Sequence, residues 1–109
     1  MPEECSARFT RRYAEPPDEV WRALIEPASL ERWLRPGFPV ERREVEPGRV
    51  LELDWRPPGE EPSVVRIELS PAGGGTKLVL DHARIEAARG MQAMRFWHGA
   101  LERFSAGLA

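Results

Sequence analysis

A chain with one cysteine, Cys5, can close no disulfide within itself, and such scarcity fits a reducing compartment. Nowhere do eighteen apolar residues run together, which excludes a membrane-spanning helix, and the opening Met1 to Arg12 is charged and lacks the apolar core of a secretion signal. A cytoplasmic protein with no membrane partner is the expectation. Lysine is almost missing, Lys77 standing against fifteen arginines, yet most arginines lie within a residue or two of a glutamate and the formal net charge is -2. That balance, with a pI near 5.7, removes the basic footprint that phosphate-backbone binding needs and argues against nucleic acid as a partner. Histidine is scarce as well. His82 and His98 have no cysteine or carboxylate at ligand spacing beside them, so no metal site and no cofactor is expected. Repeats, linkers and low-complexity stretches are absent.

The 109 residues suffice for one core and not two, so a single domain over 1–109 is expected. Phe9, Arg11 and Tyr13 alternate with Arg8, Thr10 and Arg12 at the strand period of two. Pro16-Pro17-Asp18-Glu19 then opens a short helix with an apolar face of Val20, Trp21 and Leu24. Pro27 interrupts it and opens a second over Ala28 to Leu34. From Val40 to Trp55 the pattern predicts two strands, or one bent strand, about Glu46-Pro47-Gly48, with Leu51, Leu53 and Trp55 on one face. Val65, Ile67 and Leu69 mark a further strand. A turn at Ser70 to Gly75 leads into another, where Leu78, Leu80 and His82 share a face. Short turns make this an antiparallel meander. Met91, Met94, Trp97, Leu101, Phe104 and Leu108, spaced by three and four, predict a long amphipathic closing helix.

The stretch from Phe9 to Trp33, with Pro17, Val20, Trp21, Pro27, Leu30 and Trp33 in place, resembles the opening of the Hsp90-activator-homologue-like domains of the START-like, Bet v 1-like superfamily. Glu68 to His82 resembles the family's late hairpin, and Trp97 to Leu108 its final helix. The resemblance implies an α+β helix-grip fold: a curved antiparallel sheet wrapped around a long C-terminal helix, with two short helices after the first strand and an apolar cavity between sheet and helix. It departs from the family in one place. Between Trp33 and the strand from Arg49 to Trp55 typical members carry an additional hairpin, and here only Leu34 to Gly48 fills the space, which bears on the size of the cavity.

No catalytic constellation emerges. Gly73-Gly74-Gly75-Thr76-Lys77 places Thr before Lys at the start of a strand, so it reads as a hairpin turn and not as a phosphate loop. Ser29, Ser63, Ser70 and Ser105 lack a nucleophile signature, and Glu52, Asp54, Glu68 and Asp81 fall on the strand faces opposite the apolar ones. Helical stripes ordinarily pack as core. The resemblance turns the residues nearest the middle of the closing helix towards a pocket, so the expected function is binding of a small apolar molecule. Trp33, Trp55, Leu80, Met94 and Trp97 would give apolar contact and His82 a hydrogen bond. The family also implies two alternatives: regulation of an Hsp90-type chaperone, which the missing N-terminal region of the eukaryotic activators tells against, or a cyclase- or hydrolase-like enzyme using His82. Loss of the hairpin should also leave Val40 to Val45 as a sheet edge and expose apolar surface near Phe38 and Trp55, which predicts a homodimer through that edge.

Overall fold

The computed structural model describes residues 4–86 and 89–108, so residues 1–3, 87–88 and 109 of the expected 1–109 domain lie outside the described part. Strand β1 (Glu4–Tyr13) is followed by helices α1 (Pro17–Ile25) and α2 (Pro27–Trp33). Strands β2 (Glu41–Glu46), β3 (Val50–Trp55), β4 (Ser63–Ala72) and β5 (Gly75–Glu86) come next, and helix α3 (Gly90–Leu108) closes the chain. All strand pairs are antiparallel, in the order β1-β5-β4-β3-β2. The five-stranded curved sheet, the long last helix and the helix pair after β1 make the α+β helix-grip architecture.

One residue joins the two short helices. Glu26 is extended, with φ -62° and ψ 129°, because the proline that follows it bars the helical region. Its N–H still closes α1 on the Arg22 carbonyl at 3.0 Å, and its own carbonyl receives the Leu30 N–H of α2 at 2.8 Å. Pro17 and Pro27 open the helices where a missing N–H costs nothing, and Asp18 and Glu19 sit at the positive end of α1. From α3, the Arg103 guanidinium donates to the Trp33 carbonyl at 3.1 Å and the Leu34 carbonyl at 3.5 Å, capping the C-terminus of α2.

Strand β4 runs further than the turn residues implied. Leu69 N–H points towards β3 and donates to the Arg49 carbonyl at 2.8 Å; two residues on, Pro71 faces the same side after β3 has ended, so its missing N–H breaks no ladder. The turn shrinks to Gly73-Gly74, with φ of +54° and +86°, the left-handed pair a type I′ hairpin requires. At Gly75 a Cβ would run into the main-chain oxygen of Tyr13 on β1.

The inner sheet face, α1, α2 and α3 share one apolar core, with Trp33, Trp97, Phe104 and Leu24 among its largest fully buried side chains. Tyr13 and Trp33 each meet Phe104 edge-on, at 5.7 and 5.3 Å between ring centres. The face of α3 differs from the expected stripe. Met91 is 71% exposed and Met94 45%, because at 100° per residue they fall on the flank beyond Leu101, roughly 140° and 80° around the helix from Phe104 at the middle of the buried face. The buried stripe runs instead through Ala93, Phe96, Trp97, Ala100, Leu101 and Phe104, and it extends to Leu108.

Outside, the sheet carries the expected carboxylates. Arg43, Glu52, Arg66, Asp81 and Arg8 stand in direct register across β2, β3, β4, β5 and β1, a row of alternating sign. Arg43 and Arg66 reach Glu52 at 3.1 and 3.5 Å, Arg8 reaches Asp81 at 3.8 Å, and Arg43 also pairs with Asp54.

Candidate functional site

Where β3 ends and β4 begins, the sheet draws away from the first turns of α3, and the segment after α2 crosses the gap. A cavity of about 300 Å³ lies there. Trp55 forms its centre, packed against Phe38 at 4.9 Å, Trp97 at 5.0 Å and Phe96 at 5.3 Å between ring centres. Pro36, Pro57, Ile85 and Ala93 add to the apolar lining, while Glu60, Glu61, Arg84, Arg89 and Gln92 join Ser63 and His82 in the polar part. Glu60 is paired with Arg89 at 3.4 Å.

The period of two sets the polar groups. Trp55 opposes Ser63 and Val65 opposes His82, so Ser63 and His82 lie diagonally on the same inward face. Their geometry fixes the protonation of the imidazole. Indole nitrogen is a donor only, so Trp97 Nε1, 2.9 Å from His82 Nδ1, donates and Nδ1 accepts. The neutral ring therefore carries its hydrogen on Nε2 and donates it to Ser63 Oγ, 2.7 Å away. Burial acts in the same sense: His82 is 3% exposed, and desolvation pushes its pKa down to about 4, so the ring is neutral at physiological pH. A hydrolytic serine–histidine pair needs the opposite tautomer, with Nε2 accepting from the hydroxyl. His82 holds Ser63 without activating it.

Of the side chains expected to contact a ligand, Trp55, His82 and Trp97 line the cavity together. Trp33 and Leu80 do not: both are fully buried in the core, Trp33 against Phe104. Met94 lies apart from both groups, 45% exposed on α3 and outside the lining of the cavity. Three cavity residues are not among the contacts expected from sequence: Ser63, which there lacks a nucleophile signature, Phe96 and Arg84. For Phe96 a signal existed, because Ala93, Phe96 and Ala100 continue the Trp97–Phe104 face at helical spacing. Ser63 needed the strand register, which places it beside His82. Arg84 needed a bulge: between Ala7–His82 and Cys5–Ile85 the register slips, β5 carrying one residue more, and Arg84 takes φ +60° there. Among the described residues, no three metal-ligating side chains cluster and no helix is long and apolar enough to cross a membrane.

A curved antiparallel sheet gripping a long C-terminal helix, with two short helices after the first strand, defines a helix-grip domain of the START-like, Bet v 1-like class. The chain belongs to the family described as Activator of Hsp90 ATPase homolog 1-like protein, whose sequence profile matches residues 35–109. Solved structures share the fold. A protein from Mesorhizobium loti superposes with a TM-score of 0.81 at 23% identity, over 95% of this chain and 96% of that one. An AHSA1-like protein from Rhizobium etli gives 0.74 at 27% identity, over 96% and 82%. The Aha1 dimer from Colwellia psychrerythraea gives 0.76 at 12% identity, over 93% of each chain. Among curated proteins no relative matches the chain.

Proposed function

We propose that this protein binds a small apolar molecule between the end of the sheet and the first turns of α3, with Trp55, Trp97, Phe96 and Phe38 as contacts. Trp33 and Leu80 belong to the same buried core as Trp55 and Trp97 and are not contacts in this reading. The observation that supports this reading most is the aromatic cavity of about 300 Å³. Ligand sites span roughly 300–1,000 Å³, which points to an occupant of about two fused rings. Thermal unfolding with naphthalene and alkylnaphthalenes tests it. The midpoint is expected to rise with ligand concentration, as it does for a ligand that binds only the folded state. Filling the cavity with Ala93→Trp should abolish the rise. A midpoint that stays put for every compound up to its solubility limit overturns the proposal.

Two other readings rest on less. Chaperone regulation draws on the family description, with no surface feature of this chain to favour it; pull-down with the host's Hsp90 is the direct test. A cyclase or hydrolase role through His82 meets the tautomer described above, in which both ring nitrogens are engaged. Self-association keeps one supporting observation, an edge strand β2 whose residues are all exposed. The apolar patch expected beside it is partly closed by the chain itself, where Phe38 lies on Trp55.

A further inference from the structure

Ser63 is the one hydroxyl lining the cavity among the described residues, and its hydrogen bonding is half determined by the residues behind it. Trp97 fixes the His82 tautomer, His82 Nε2–H donates to Ser63 Oγ, and the hydroxyl hydrogen must then turn away from the ring. Among the described residues no protein acceptor takes it. A donor held by a directed chain of two hydrogen bonds, beside the rings of Trp55 and Trp97, is a polar anchor waiting for an acceptor.

We propose that Ser63 is the inner polar anchor of the cavity, and that the ligand is an aromatic or conjugated molecule carrying a carbonyl-type oxygen that accepts the Ser63 hydroxyl. This rests on the ligand-binding reading above and adds to it the chemical class. Trp97 and His82 are positioning residues for this bond. An all-hydrocarbon occupant would fill the same space but strip water from the hydroxyl without replacing its bond, which costs affinity. An occupant whose polar end only donates would leave the same hydrogen unpaired. A carbonyl satisfies it while demanding no hydrogen of its own, and the neutral, buried imidazole keeps the arrangement in place across physiological pH.

The test uses two probes of one shape: 2-acetylnaphthalene and 2-isopropenylnaphthalene, in which =CH2 replaces =O. Equilibrium dialysis against the intact protein is expected to give the ketone an affinity about tenfold tighter, the equivalent of one recovered hydrogen bond. Ser63→Ala should erase the preference by weakening the ketone alone. Trp97→Phe supplies the second arm: without the indole donor the ring is free to carry its hydrogen on Nδ1, Nε2 then accepts from Ser63, and the preference should fall although Ser63 is intact. Nitrogen NMR of the imidazole is expected to report the Nε2–H form in the wild type and a shift towards Nδ1–H in that variant. Equal binding of both probes to the wild type overturns the anchor while leaving the apolar cavity standing. An Nδ1–H tautomer in the wild type also overturns it. If neither probe binds, the ligand-binding reading falls and the anchor with it.

Discussion

Two forces oppose a proton on His82, burial and the Trp97 N–H aimed at Nδ1, and they have a consequence for stability. An unfolded histidine titrates near 6.5, whereas the folded one is held at about 4. Above pH 6.5 both states are neutral and His82 adds no pH dependence. As the pH falls from 6.5 to 4, the unfolded chain takes up a proton that the folded chain refuses, so stability drops, by about 3 kcal/mol in total. Below about 4 the loss is complete. Asp54, whose pKa the Arg43 hydrogen bond lowers, acts in a separate window, contributing above the ordinary carboxylate range and fading only as the pH falls below it. Urea unfolding between pH 7 and 4.5 should therefore show a falling midpoint in the wild type and a flatter one in His82→Gln, whose amide can accept from Trp97 and donate to Ser63. Parallel curves would remove His82 as the cause. Trp33 makes a second case at this scale. Its Nε1–H is buried with no partner among the described residues, a defect in an otherwise satisfied core. Trp33→Phe loses ring area but also removes the orphaned donor, so it should cost about 1 kcal/mol or less, against about 3–5 kcal/mol for Phe104→Ala beside it. A Trp33→Phe loss as large as that of Phe104→Ala would mean the indole nitrogen is bonded after all.

Among the elements, the sheet is held in register from both faces. Inside, Leu53, Val65 and His82 follow the buried side of the pleat. Outside, the alternating row from Arg43 to Arg8 favours this register at β4, because a two-residue slip of β4 would set Glu68 opposite Glu52 on β3. Single exposed pairs contribute little, about 0.2–1 kcal/mol, but Glu52 serves two arginines at once. Glu52→Arg would put three arginines side by side on β2, β3 and β4. It should destabilise by about 1–2 kcal/mol at low salt and less as ionic strength rises, read by urea unfolding at two salt concentrations. A loss independent of salt would assign it to packing. These same elements mark what sequence could convey. Alternation and proline punctuation are local signals, so the strands of the late hairpin and both short helices were legible to within a few residues. On α3, methionine is apolar wherever it stands, and Met91 and Met94 counted towards a stripe that geometry places elsewhere. The cavity was legible in Trp55, His82 and Trp97. It was not in Ser63, whose role exists only through its diagonal neighbour on β5, nor in Arg84, whose bulge leaves no periodic trace.

At the level of the whole molecule, the sheet ends in β1 on one side and β2 on the other, and β2 decides assembly. All six residues of β2 are exposed, and Arg42 and Glu44, opposite Leu53 and Leu51, put charge on the face that elsewhere is apolar. Inward-pointing charge ordinarily guards an edge against pairing. Here the charges have opposite signs two residues apart, so a second copy can match them: with the two-fold axis at Arg43, each Arg42 falls opposite the other copy's Glu44. Arg43 itself is already tied to Glu52 and Asp54 on β3, which reduces the repulsion at the axis. Val45, 53% exposed at the register irregularity between Glu44 and Glu46, would lose water in the contact. A joint of two six-residue strands is small beside the roughly 1,200 Å² or more of a stable interface, so the association should be weak. Sedimentation from micromolar to millimolar concentration is expected to show a concentration-dependent dimer. Arg42→Glu alone should abolish it by facing Glu44 with a like charge, and Glu44→Arg alone should do the same. The two together restore opposite signs and should restore the dimer. A monomer at millimolar concentration, or a dimer indifferent to all three variants, would mean that β2 is a guarded edge and that any association lies elsewhere.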